Sequence, residues 1–245
     1  IASFFQGSFG LGMKYMEPLK WEAWWIIHIT IAMIIFPIAW AIIDVPNLFE
    51  VISNAPDDAV FLGMLFGFLW GVGGILFGKS VPYIGLSLTY GIVMGLAASV
   101  GSIIPLLQVE DTFSNPATKY VIIAVVIMLV GVALTAKAGI ERDKLIGDTN
   151  DPSNMSKGIM IAVSCGILSA LLNVGFANAN PVALEAEKMG ALTRNSSLAA
   201  WVVVLLGAFM MNFGYAVFLI FKNKSWDSFQ APAARSAYKL SLIHI

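Results

Sequence analysis

Seven stretches of this chain stay apolar for close to the length that crosses a bilayer, and that leaves few folds open. They run roughly over 1–13, 23–43, 59–78, 82–107, 120–136, 158–176 and 198–221. A spanning helix needs about 20 mostly apolar residues. The first stretch is shorter and begins at Ile1 rather than Met, so it reads as a helix entered part-way through a truncated N-terminus. Inside lipid the backbone must satisfy its own hydrogen bonds, which helices and closed barrels do. Barrel strands are short and alternate in polarity, whereas these runs are long and continuously apolar. The expected fold is an all-α polytopic membrane protein with seven spans in this chain.

Composition points the same way. Of 245 residues, 58% are hydrophobic and 12% charged, where a soluble domain carries roughly a quarter charged residues. Mean hydropathy is +0.83. A formal net charge of −1 supplies no basic field to hold nucleic acid. The lone Cys165 excludes an intrachain disulfide and a cysteine zinc site, and His28 and His244 are too few and too far apart for a metal cluster. No cofactor is expected. After Phe221 the chain turns polar, and the short apolar run at Ser241–Ile245 is given no function.

Orientation follows from Lys and Arg, which favour the cytoplasmic side. Odd-numbered connections hold Lys14 and Lys20, then Lys79, then Lys137, Arg142, Lys144 and Lys157, and after the seventh span Lys222, Lys224, Arg235 and Lys239. Even-numbered connections hold Lys119, Lys188 and Arg194. The asymmetry places odd connections in the cytoplasm and the connection over 44–58 on the face opposite that over 137–157.

Small residues recur every four positions at Gly63, Gly67 and Gly71, at Ser87, Gly91, Gly95 and Ser99, and at Ala162, Gly166 and Ala170. Such ridges let helix backbones approach closely in lipid, and plain packing accounts for any one of them. Trp70-Gly71-Val72-Gly73-Gly74 is denser, and three glycines weaken a helix interior. Weak helix at membrane depth is tolerated where it packs on protein or lines a cavity.

The sequence carries no phosphate-binding Gly-Lys-Ser/Thr loop and no His-Glu-x-x-His, and Ser164 and Ser169 have no histidine near them. No enzyme chemistry is therefore expected. Glu22 and His28 are the ionisable residues nearest a span interior, and intramembrane charges in transporters mark proton or ion paths. A histidine ordinarily titrates between pH 5 and 8. Set against that, either residue could serve only as a helix-end polar group. Six residues separate them, about 240° around a helix, so they do not form a direct pair. Uncharged polar residues within spans include Gln6, Ser8, Thr89, Ser99, Ser169, Asn173, Asn178, Asn180 and Asn212. Trp24, Trp25 and Tyr83 fall near span ends and read as interfacial anchors. Trp70 falls near mid-span. An indole beside neutral amides suits a neutral polyol better than an ion. The candidate substrate-binding set is Gln6, Trp70, Tyr90, Asn173, Asn178 and Asn212, with Trp70 and Asn178 expected on one cavity.

Several segments together resemble a known family: Lys14 followed by Trp21-Glu22 and Trp25; Leu69-Trp70-Gly71-Val72-Gly73; Tyr83-Ile84-Gly85-Leu86-Ser87; Lys157-Gly158 with Cys165-Gly166-Ile167 and Ser169-Ala170; Asn178 with Pro181; and Asn212-Phe213-Gly214. In these the chain is similar to the L-rhamnose–proton symporter family of the drug/metabolite transporter superfamily, from Gly7 to about Lys222. The basic run that follows the first helix in that family is thin here, with Lys14 and Lys20. The resemblance implies a bundle of two five-helix repeats of inverted topology, with three further helices on the C-terminal side. Residues 1–137 would form the first repeat, 138–157 a cytoplasmic connecting loop, and 158–245 the start of the second repeat. It also implies a multi-pass inner (plasma) membrane protein whose partners are a small neutral sugar, a proton and the lipid bilayer. His28 and Glu22 are the proton-coupling candidates. Two other readings compete. A membrane-embedded enzyme or assembly factor acting on lipid would need a cluster of acids, bases or metal ligands, and a channel would need a polar filter; the sequence displays neither.

Overall fold

The computed structural model describes residues 19–108, 112–146 and 152–230. Among them every regular element is helical. In chain order these are α1 (Trp21–Asp44), α2 (Leu48–Asn54), α3 (Asp57–Gly85), α4 (Leu88–Leu107), α5 (Pro116–Ile146), α6 (Pro152–Asn178), α7 (Asn180–Lys188) and α8 (Thr193–Asn223). Six spans are long and apolar enough to cross a membrane: α1, α3, α4, α5, α6 continuing into α7, and α8. They fall on six of the seven expected stretches. The seventh, over 1–13, lies outside the described residues.

Two expected boundaries move. The break expected between Gly78 and Pro82 lies at Gly85, whose φ of 75° and ψ of 163° suit a residue without a Cβ. Lys79, Pro82 and Tyr83 therefore belong to the end of α3. The sixth stretch continues past Phe176, because Ala179 (φ −81°, ψ 0°) only bends the chain and Pro181 is seated in the first turn of α7.

Within α1, Thr30–Ile35 forms a π-helical turn, with the Phe36 N–H bonded to the Ile31 carbonyl. The cause is Pro37, which lacks an N–H and crowds the preceding turn, so the ladder there cannot keep its α spacing.

Successive spans run in opposite directions between two ends of the bundle. At one end Ala41, Val45, Leu48 and Val51 pack with Val182, Ala186, Ala199 and Val202. At the other, Tyr83 lies under Lys157, with the ammonium 5.3 Å from the ring centre, and Glu22 meets Asn223. This second end also carries Lys20, Lys79, Arg142 and Lys222, and is called the basic end below. The 44–58 connection thus lies at the opposite end from the end of α5 and the start of α6.

The glycine ridges are packing surfaces. An added Cβ on Gly67 would fall 2.0 Å from the Val204 carbonyl oxygen, and one on Gly207 would fall 1.9 Å from that of Met64. Backbones of α3 and α8 therefore touch. Gly91 and Gly95 seat Thr135 and Val132 of α5 against α4, and Gly166 of α6 seats Leu96. Along the spans the outward faces are apolar. The apolar stretch of α5 is only 6% buried, with Ile123, Ile127, Val130 and Leu134 turned outward, as lipid-facing side chains are.

Candidate functional site

A cavity of about 340 Å³ lies among α1, α3, α4, α6 and α8. Its volume is within the roughly 300–1,000 Å³ range of small-molecule sites. The glycines of α3 make the room. Gly71 and Gly74 line the wall, and the Asn212 amide packs onto Gly71 so closely that an added Cβ would come within 2.9 Å of its Nδ2. Pro37, through the π turn it imposes on α1, presents Ala32 and Met33 to the same space.

The polar lining is uncharged at its centre. Asn212, only 2% exposed, donates from Nδ2 to the Ala208 carbonyl at 2.9 Å. Its Oδ1 accepts the Trp25 indole N–H at 3.1 Å. Tyr90 stands edge-on to Phe77 with ring centres 4.9 Å apart. Ser169 reaches the wall from α6, beside Cys165, whose thiol donates to the Gly73 carbonyl at 3.0 Å. Among the described lining residues there is no Asp, Glu, Lys or Arg.

His28 also lines the cavity and is largely buried, stacked on Trp24 at 4.8 Å and on Trp25 at 5.6 Å. Trp21 stacks on Trp25 at 5.3 Å and meets Tyr215 edge-on at 6.4 Å. Lys79 sits over Tyr215 at 5.7 Å. An aromatic group thus runs from the cavity toward the basic end.

Of the residues expected to bind substrate, Trp70, Tyr90 and Asn212 come together on this cavity, joined by His28. The others lie elsewhere. Asn178 does not line the cavity with Trp70. It closes α6, where the bend at Ala179 begins, and its Nδ2 donates to the Val174 carbonyl of its own helix at 2.8 Å. Asn173 is exposed and lies against Gly101 of α4. Glu22 is buried at the basic end, where its Oε1 accepts from Asn223 Nδ2 at 3.0 Å and from Ser225 Oγ at 2.6 Å. Gln6 lies outside the described residues.

Trp24 and Trp25 correct the expectation of interfacial anchors. Trp24 is 1% exposed, and Trp25 turns inward because Asn212 offers its indole N–H an acceptor within the bundle. A signal was present: Trp21, Trp25 and His28 recur at i, i+4 and i+7, which is one helix face rather than a ring at the membrane surface. Tyr83, by contrast, stays at the basic end beside Lys157.

With this geometry in place, comparison with known proteins is informative. Residues 2–235 match the L-rhamnose-proton symport protein family. The chain is 31% identical over 208 residues to the L-rhamnose-proton symporter of Mannheimia succiniciproducens, covering 84% of this chain and 60% of that protein. It is 26% identical over 205 residues to the L-rhamnose-proton symporters of Yersinia pestis bv. Antiqua and Yersinia pseudotuberculosis serotype O:3, covering 82% of this chain and 60% of each. The chain thus spans about 60% of the length of these relatives. No solved structure matches it.

Proposed function

This chain belongs to the L-rhamnose-proton symport protein family, and we propose that it imports L-rhamnose or a related neutral monosaccharide together with protons by alternating access. The observation that carries this reading is the cavity itself. It lies among five spans, is sized for a small molecule, and its polar groups are an amide, a phenol, a hydroxyl, an imidazole and indoles rather than fixed charges. Such groups exchange hydrogen bonds with sugar hydroxyls, and flat rings cover the C–H faces of a pyranose.

In this reading Trp70, Tyr90 and Asn212 contact the sugar, with Trp25 and Ser169 beside them; Gln6, a further candidate from the sequence, lies outside the described residues. His28 is the favoured proton carrier because it lines the same cavity, whereas the Glu22 carboxylate is already engaged by Asn223 and Ser225. The whole would be a seven-span portion of two inverted five-helix repeats in the inner membrane. Residues 1–137 belong to the first repeat, 138–157 to the connection, and 158–245 to the second. The basic end faces the cytoplasm. Substrate would bind near the midplane between the repeats and meet each side in turn as one repeat rocks against the other.

Uptake of a labelled sugar panel into vesicles carrying the protein, with and without a protonophore, tests this. Accumulation of L-rhamnose that collapses on adding the protonophore is the expected result. Accumulation indifferent to the protonophore would remove proton coupling, and uptake of no sugar would remove the transport reading.

A further inference from the structure

Two helices independently place Asn173 at an edge of the cavity. On α6, Ser169 lines the cavity, and Asn173 follows it by four residues on the same helix face. On α4, Met94 lines the cavity and is 44% exposed; Ala98, also exposed, and Gly101 follow it by four and seven residues, again on one face. Both helices run away from the basic end, so Asn173 and Gly101 lie beyond the cavity toward the opposite end. There they touch. A Cβ added to Gly101 would overlap the Asn173 Nδ2 and lie 3.3 Å from the Ala170 carbonyl oxygen. Met160, Val163 and Ile167 mark the lipid side of α6. Asn173 is off that side, in line with Gly166, which seats Leu96 of α4. Its amide is also uncommitted. Asn178 and Asn212 each donate to the carbonyl four residues back, whereas the exposed Asn173 side chain has no hydrogen-bond partner among the described residues. Against acyl chains such an amide gives up its hydration for nothing, so its surroundings suit water or a hydroxylated solute.

From this we propose that Asn173, seated on Gly101, is the threshold of the cavity on its outer side, where a neutral sugar makes its first hydrogen bonds on the way in. The inference rests on the transport reading and deepens it by giving the route of entry. The amide offers two N–H donors and a carbonyl acceptor, a set that a ring bearing several hydroxyls can use from many approach angles. Gly101 belongs to the device, because a side chain there would displace the amide. Ala98 keeps the α4 wall of the threshold free of bulk. The next polar group down the α6 wall is the Ser169 hydroxyl, inside the cavity, so the sugar exchanges one partner for another within a helical turn.

Cysteine accessibility in cells carrying the protein tests this. A membrane-impermeant maleimide is added to the medium for Asn173→Cys and Ala98→Cys, without sugar and with L-rhamnose at about ten times each variant's half-saturating concentration, and membrane abundance is quantified. Cys165 is fully buried, so the native protein is the blank. Leu134→Cys, on the lipid face of α5, controls for exposure without water. Both threshold cysteines are expected to label, Leu134→Cys is not, and L-rhamnose is expected to slow threshold labelling about tenfold, as bound ligand withdraws the free form. Asn173→Ala is expected to raise the half-saturating L-rhamnose concentration about two- to tenfold, the worth of one hydrogen bond. Two positions on different helices keep the test readable if one variant fails to reach the membrane. No labelling of the threshold cysteines that reach the membrane, or labelling that L-rhamnose leaves unchanged, would overturn the threshold while leaving sugar transport standing. A native protein that takes up no sugar would remove the transport reading, and the threshold's role with it, even if both cysteines label.

Discussion

Trp25 and Asn212 are separated by 187 positions and are joined by a single hydrogen bond, the indole N–H of α1 donating to the amide oxygen of α8 at 3.1 Å. That bond sets the amide's orientation, since Nδ2 is held by the Ala208 carbonyl. Trp25→Phe keeps a ring of similar shape and removes the donor. A buried acceptor left without its partner costs about 1–3 kcal/mol. We predict a five- to hundredfold rise in the half-saturating L-rhamnose concentration, with near-native membrane abundance, measured by initial-rate uptake. An unchanged concentration dependence would mean that the bond has no part in orienting the site.

The α3–α8 seam gives a prediction about stability. Gly67→Ala drives a methyl into the Val204 carbonyl, and backbone cannot step aside as a side chain can. Overpacking of this kind costs about 1–3 kcal/mol. Gly131→Ala is the control, since nothing lies within 4 Å of the position its Cβ would take, and alanine favours a helix interior by up to about 1 kcal/mol. Thermal unfolding in detergent should therefore show Gly67→Ala melting well below the native protein and Gly131→Ala at or above it.

Proton coupling through His28 carries a definite sign. If His28 loads a proton with each sugar, uptake falls as external pH rises and protons for loading become scarce. His28→Ala should abolish accumulation and flatten that profile. Glu22→Gln should keep both. Accumulation with a native pH profile in His28→Ala would make His28 a packing residue.

The basic-end cluster is a separate test of structure. Glu22 accepts from both Asn223 and Ser225, and Lys224 between them holds the left-handed conformation (φ 49°) that turns the chain back toward α1. Glu22→Ala strips two donors of their acceptor and should lower the melting temperature clearly more than Ser225→Ala, which removes one donor and leaves the Asn223 bond intact. Equal effects would show that the Ser225 bond carries the whole cluster.

Much of the fold was legible because lipid enforces length and polarity on every span, and the Lys and Arg bias separated the two ends. Pro82 and Gly85 show where that reading loses resolution. Apolar composition is the same on both sides of the turn, and the choice of Gly85 depends on a backbone angle that hydropathy does not report. The site was legible in part. Trp70 and Asn212 could be picked out because an indole and an amide at membrane depth need partners. Asn178 has the same composition signal, yet its partner is a carbonyl four residues back in its own helix, a solution that spacing does not distinguish from a cavity position. Trp25 was passed over because its nearness to a span end matched an interfacial anchor, and its true acceptor lies on a helix far away in sequence.

Gly67 against the Val204 backbone and Gly207 against the Met64 backbone bring α3 and α8 together near the middle of both helices, where neither glycine carries a side chain to hold them apart. Two rods that touch closest at their midpoints share a fulcrum. Sliding one along the other would drive carbonyls together, but tilting leaves the midpoint undisturbed. Any tilt of α8 against α3 about this point spreads their ends on one side of the membrane as it draws them together on the other. Trp70 and Asn212, each within a few residues of the pivot, travel least. The motion is therefore largest at the two mouths and smallest where the solute would rest.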